Sequence, residues 1–166
     1  MAKLVGRKGR HGILLLELIL YPDPNSFDWI TYEINIKSIE DNEKNLLRLS
    51  SSEDYTLFFE ARYEPEIPDF CAGILDVVSG KKSNFFFEPI DEKDFQFEIR
   101  KMDDELFLLS LYSDNFRVLE QYNWDYKSYL GVKTYVSKEE VLNFVKQLKK
   151  EYEEIISKYP KEVSYD

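Results

Sequence analysis

Apolar and polar residues alternate along the first part of the chain in the way that predicts β-strands. Residues Ile13–Tyr21 form the most apolar run. The next run, Trp29–Lys37, has an isoleucine or tyrosine at every second position and polar residues between them. The connection PDPNSFD is rich in turn-forming residues. These two runs therefore predict a β-hairpin.

Further short runs predict more strands and one short helix. The additional strand segments are Tyr55–Tyr63, Asn84–Phe87, Phe95–Lys101, Leu106–Tyr112 and Gly131–Val136. Between them, the apolar spacing that begins at Asp69 indicates a short helix, with Pro68 at its start and Gly80 after its end. The polar stretches Ser38–Asp54 and Ser113–Ser128 predict irregular structure.

The last part of the chain predicts a long amphipathic helix. In S-K-E-E, Ser137 is followed three residues later by Glu140, which is the spacing of a capping box. An apolar stripe at helical spacing follows, and Pro160 ends the pattern. A sheet flanked by such helices predicts the α+β class. We expect an antiparallel sheet of about seven strands, with a short central helix and the long C-terminal helix packed on one face.

Length and charge define the domain organisation and the partner class. For 166 residues we expect one domain over residues 13–160, preceded by a basic, mobile arm at 1–12 and followed by a short tail at 161–166. The chain carries a net charge of −10, and removing the four basic residues of the arm leaves −14. The acidic part of the chain that follows the arm therefore repels nucleic-acid phosphates and attracts a basic protein.

No segment predicts a membrane span or a secretion signal. The apolar run ILLLELIL is far shorter than the ~20 residues that cross a bilayer, and Glu17 interrupts it. No convincing cleavage site follows it. We therefore expect a cytoplasmic protein without direct contacts to membrane or nucleic acid.

Residues that carry chemistry are scarce in this sequence. Cys71 is the single cysteine and His11 the single histidine, so a Cys/His zinc site is excluded, and the apolar neighbours of Cys71 predict a buried structural thiol. The start GRKGRHG lacks the G-K-[ST] of a Walker motif, which favours a frayed arm or a turn. We expect no catalytic residue, no metal site and no cofactor.

The segment FFFEPIDEKDFQFEI concentrates phenylalanines and acids. Its strand period predicts that Phe95, Phe97 and Ile99 face the core. For the acids of the polar connection, Asp91, Glu92 and Asp94, solvated side chains and a protein-contact surface both stay open as interpretations. A catalytic carboxylate usually needs a desolvated pocket, which so polar a connection does not favour. Calcium binding is not supported either, because the sequence has no D-x-D-x-D-G loop.

A second segment, EQYNWDYKSYL, places aromatic residues among charges in a stretch without regular periodicity. Aromatic side chains beside charged ones are typical of binding hot spots. The same residues can also pack onto the sheet. Packing and partner contact both stay open for Tyr122, Trp124, Tyr126 and Tyr129.

The ordered series of segments resembles a known family. Four parts of the chain carry the resemblance: YPDPNSFDWITYEINIK, the short helix with Gly80, NFFFEPIDEKDFQFEI with Phe87-Glu88-Pro89, and VSKEEVLNFVKQLKKEYEEIISKYP. In this order they are similar to the WapI-like immunity proteins of bacterial polymorphic-toxin systems. The resemblance covers about Ile13–Pro160, whereas Ser38–Glu66 and the basic start depart from the family pattern. It implies a non-enzymatic cytoplasmic antitoxin that binds and blocks a toxin domain, often a nuclease.

Charge and resemblance together predict an acidic surface that binds a basic toxin domain, with aromatic residues as additional contacts. The candidate contact residues are Glu88, Asp91, Glu92, Asp94, Asp103, Asp104, Glu105, Tyr122, Trp124 and Tyr126. Two alternatives stay open: a structural or regulatory protein-binding module without a toxin partner, and an enzyme that uses the carboxylates of FFFEPIDEKDFQFEI.

Overall fold

A computed structural model gives the fold. It describes residues 1–9, 12–22, 29–39, 44–50, 59–60, 66–89, 95–113, 117–118 and 130–158. The elements in chain order are β1 (Ala2–Val5), β2 (Leu14–Pro22), β3 (Trp29–Ser38), β4 (Lys44–Ser50), β5 (Phe59–Glu60), α1 (Glu66–Val78), β6 (Asn84–Phe87), β7 (Gln96–Lys101), β8 (Leu106–Ser113), β9 (Arg117–Val118), β10 (Leu130–Ser137) and α2 (Lys138–Lys158).

The strands form two antiparallel sheets. In the first sheet the order is β1-β2-β3-β4-β9, with β5 pairing β3, and in the second it is β10-β8-β7-β6. The α+β class and the long C-terminal helix are confirmed. The single sheet of about seven strands is wrong: where the sheets meet, the Arg7 N–H donates to the Tyr135 carbonyl at 2.7 Å, and no β1–β10 ladder continues this bond in the described part of the chain.

The basic N-terminal segment belongs to the fold over Ala2–Val5, so the prediction of a mobile arm is wrong there. Ala2 and Leu4 are buried in the core, and β1 pairs antiparallel with β2. Gly9 and Gly12 exchange main-chain hydrogen bonds of 2.9 and 3.1 Å, and Gly12 has a φ of 83°, which favours glycine. The main chain at Gly9 and Gly12 is therefore hydrogen-bonded and not frayed.

Two stretches predicted as irregular contain strands. β4 lies within the polar region Ser38–Asp54 and pairs β3, with a register shift after Ile36. β9 lies within Ser113–Ser128 and pairs β4. Both strands depend on hydrogen bonds to a neighbouring strand, and such partners override weak local propensity.

The two helices begin and end close to the predicted positions. At the start of α2 the Glu140 N–H donates to Ser137 Oγ at 3.3 Å, which is one half of the predicted capping box. α1 begins at Glu66, so that Pro68 lies in its first turn, where its missing N–H is tolerated. Gly80 follows α1 with a φ of 84°. In the described residues no helix is long and apolar enough to span a bilayer.

One hydrophobic cluster joins both sheets and both helices. Phe70 of α1 lies 4.8 Å, between ring centroids, from both Phe87 and Phe97 of the second sheet. The prediction that Phe95, Phe97 and Ile99 face the core is confirmed, since each is at most 3% exposed. The helices cover this inner face of the second sheet, so its opposite, outer face carries the alternate side chains.

Candidate functional site

The predicted contact acids that the structure describes form two separate groups. Asp103, Asp104 and Glu105 are exposed in the β7–β8 hairpin. Glu88 follows β6 and is half-buried, and its Oε1 accepts a hydrogen bond of 2.8 Å from Gln96 Nε2 at the start of β7. Since β7 has six residues and a strand rises ~3.4 Å per residue, roughly 17 Å separate Glu88 from the hairpin. The remaining candidates, Asp91, Glu92, Asp94, Tyr122, Trp124 and Tyr126, lie outside the described residues.

The β7–β8 hairpin holds its acids in a defined main-chain geometry. Asp103 Oδ1 accepts the Glu105 N–H at 2.8 Å, and the Leu106 carbonyl accepts the N–H groups of Met102 and Asp103 at 2.9 and 3.1 Å. The side chain of Asp104 is 93% exposed and lies 3.1 Å from Lys101 Nζ. Three acids and one lysine give this tip a local charge of about −2, while its main chain is fixed by hydrogen bonds.

The hairpin is also tied to the long helix. The N–H of Lys138, the first residue of α2, donates to the Glu105 carbonyl at 3.1 Å. A helix N-terminus has unpaired N–H groups, and here the hairpin main chain satisfies one of them. The acidic tip therefore has a fixed position relative to α2 and to the second sheet.

The outer face of the second sheet continues from this hairpin. By strand register, Lys133, Ser110, Glu98 and Phe86 form one row across β10, β8, β7 and β6. This row lines a shallow depression together with Gln96, Phe97 and Tyr112. The Glu98 carboxylate is 3.2 Å from Arg100 Nη2, so it is already paired with a cation. The arrangement presents mixed polar and aromatic groups on an open surface, which suits contact with another molecule.

Sequence reasoning missed the exposed apolar side chains of this face. Phe86, Met102 and Tyr135 are 52, 48 and 47% exposed. The strand alternation that assigns Phe87, Phe107 and Val136 to the core assigns their neighbours to the opposite face, so the signal was present.

The buried thiol has the properties of a structural residue. Cys71 is 0% exposed, which confirms the predicted burial. Desolvation raises the pKa of its thiol to about 11, partly offset by the positive charge of Lys149. The thiol is therefore protonated at neutral pH and is a poor nucleophile.

The described part of the chain shows no metal centre. No group of three or more His, Cys, Asp or Glu side chains within it has an arrangement that can hold an ion. His11, considered above for its chemistry, lies outside the described residues.

Comparisons with known proteins do not assign this chain to a family. No protein-family model, no curated protein and no solved structure matches it.

Proposed function

We propose that this chain is a non-enzymatic inhibitor that binds a basic protein domain, acting as an immunity protein against a bacterial toxin. The observation that carries the proposal is the exposed acidic tip of the β7–β8 hairpin in a chain of net charge −10. The sequence resemblance to WapI-like immunity proteins supports the same function. A nuclease toxin is the favoured partner class, because its substrate cleft is basic.

The proposed mechanism requires binding alone. Carboxylates at the tip occupy positions that substrate phosphates take in a basic cleft, and the negative charge of the chain accelerates encounter. The hydrogen bonds of the tip reduce the conformational entropy that is lost on binding, because Asp103 and Glu105 are already constrained in the free protein. No proton transfer and no bound group takes part in this step.

Co-expression tests the proposal. The chain is produced in cells together with the toxin domain encoded by the neighbouring gene, and survival is measured with and without it. A triple variant, Asp103→Asn with Asp104→Asn and Glu105→Gln, removes the tip charge while keeping the oxygen that Asp103 uses in the turn. The matched control neutralises three exposed acids of α2, by Glu139→Gln, Glu153→Gln and Glu154→Gln.

We expect the unaltered chain and the α2 control to protect cells and the tip variant to protect them poorly. If cells die as readily with the unaltered chain as without it, the proposed function is wrong. If the tip variant protects as well as the control, inhibition does not depend on the hairpin acids.

A further inference from the structure

Four apolar side chains lie together on the outer face, next to the acidic tip. Tyr135 of β10 is paired in register with Leu108 of β8, and Leu106 lies two residues before Leu108 on the same face. The Met102 N–H donates to the Leu106 carbonyl at 2.9 Å, which places Met102 opposite Leu106. Side chains opposite each other on one face are ~5 Å apart at Cβ. We name Met102, Leu106, Leu108 and Tyr135 the hairpin patch.

Two members of the hairpin patch, Met102 and Tyr135, are exposed, and Leu106 and Leu108 are half-buried. Among the described residues, the large apolar side chains that are at least 40% exposed are Met1, Tyr21, Phe86, Met102, Tyr135 and Leu142. Two of the six belong to the hairpin patch, and Phe86 lies on the same outer face. A contiguous exposed apolar patch with a polar rim is a feature of protein-interaction sites.

The charges beside the hairpin patch indicate the chemistry of the partner. On the hairpin side the charges are acidic, since Asp103, Asp104 and Glu105 follow Met102 directly along the chain and are exposed. On the other side, Arg100 lies opposite Leu108 and is paired with the Glu98 carboxylate at 3.2 Å, and Lys133 lies two residues before Tyr135. A second copy of this chain would bring the same acids and another net charge of −10 to the contact, which is repulsive. A basic surface with an apolar centre complements the patch and the acidic, hairpin side of its rim.

We infer that the hairpin patch is the apolar centre of the interface with a basic protein domain, and that the hairpin acids form its rim. This inference rests on the proposed function and deepens it, since it names the contact surface. Tyrosine is enriched among hot-spot residues, and methionine adapts its shape at binding surfaces. Apolar burial supplies affinity in this arrangement, and the rim acids supply orientation and a high association rate.

Affinity measurements on four single variants test the inference. The probe is the purified toxin domain encoded by the neighbouring gene, and its Kd is measured by isothermal titration calorimetry. Tyr135→Ala has Tyr21→Ala as its control, because Tyr21 is a strand tyrosine with 43% exposure in the first sheet. Met102→Ala has Leu142→Ala, at a position on α2 with 40% exposure. Thermal melting of each variant verifies that it is folded.

We expect Tyr135→Ala and Met102→Ala to weaken binding about 10-fold or more, and the two controls to change it about 2-fold or less. If all four variants bind equally, the inference is wrong while the proposed function stands. If the unaltered chain does not bind, both fall. If the chain alone forms a dimer in analytical ultracentrifugation that Tyr135→Ala dissociates, the occupant is a second copy and the inference is overturned.

Discussion

The carboxylate of Glu140 on α2 accepts the main-chain N–H of Val5 in β1 at 3.2 Å. Two further side chains of α2 do the same along this edge of the first sheet. Gln147 Oε1 accepts the Lys3 N–H at 2.8 Å, and Glu151 Oε1 accepts the Leu20 N–H at 2.9 Å. An unpaired sheet edge invites strand addition by another chain. Here the long helix covers the edge and supplies the acceptors that a further strand would provide.

Replacing Glu140 by alanine should lower the free energy of unfolding by about 1–2 kcal/mol, because the partly buried Val5 N–H loses its acceptor. Urea denaturation measures the change. Glu139→Ala is the matched control, since Glu139 is exposed on the adjacent position of the same helix turn, and it should change stability by roughly 0.5 kcal/mol or less. Equal effects at the two positions would mean that the bond to β1 contributes nothing measurable.

Replacing Gly73 of α1 by alanine should destabilise the protein even though alanine favours helix formation. A Cβ at this position would lie 2.2 Å from Cε2 of Phe85, so this half-buried ring, which packs against the core, must move. We expect the overpacking to cost about 1–3 kcal/mol in the free energy of unfolding, which exceeds or offsets the gain of about 1 kcal/mol from helix propensity. Urea denaturation measures the net change. In a Phe85→Leu background the same substitution should cost less, and purely additive effects would refute the proposed clash.

The contribution of Cys71 to the free energy of unfolding should change with pH in the alkaline range. Burial raises the pKa of its thiol in the folded state to about 11, above its ordinary value of 9.0. The contribution is therefore complete below about pH 9 and is lost as the pH rises towards 11, because only the unfolded chain releases the proton readily. Between these pH values the unfolding free energy of the Cys71→Ala variant should fall less steeply than that of the unaltered chain. The two slopes should differ by up to ~1.4 kcal/mol per pH unit. Parallel pH profiles would contradict this.

Much of the fold was predictable because the signals were local. The capping residues Ser137 and Glu140 mark the start of α2, and Gly80 marks the end of α1 by its positive φ. Strict alternation around Phe97 and Ile99 assigned these residues to the core. Each of these features depends on neighbours within a few positions along the chain.

Features that depend on distant partners could not be predicted. β1 has only four residues, and the basic residues around the buried Ala2 and Leu4 favoured the prediction of an arm over that of a strand. Its acceptors, Glu140 and Gln147, lie about 140 positions further along the chain. The division into two sheets at Arg7 and Tyr135 is likewise a long-range relationship that alternation does not encode.

For the candidate site, sequence reasoning identified the acids of the hairpin but not the surface beside them. Asp103 was predicted as a contact acid, and the structure has it in the hairpin between β7 and β8. Glu88 and Asp103 do not lie together, because the register of β7 puts them near opposite ends of this strand. The sequence predicted aromatic contact residues within Tyr122–Tyr129. On the described outer face, the aromatic residue near the hairpin acids is Tyr135.

If the hairpin acids steer association, the association rate with the toxin domain should fall as salt rises. Surface plasmon resonance between about 0.05 and 0.5 M NaCl should show a decrease of roughly 10-fold or more for the unaltered chain, since the Debye length shrinks across this range. The triple tip variant of Asp103, Asp104 and Glu105 should give a shallower dependence than the α2 control of equal net charge. Equal slopes for these two variants would assign the effect to net charge alone.

The central claim is that the chain inhibits a toxin domain by binding it. The most direct test measures the activity of the purified toxin domain encoded by the neighbouring gene while the chain is added in increasing amounts. We predict that activity falls in proportion to added protein and is abolished near one equivalent. Full toxin activity in the presence of about a tenfold excess of correctly folded protein would contradict the account.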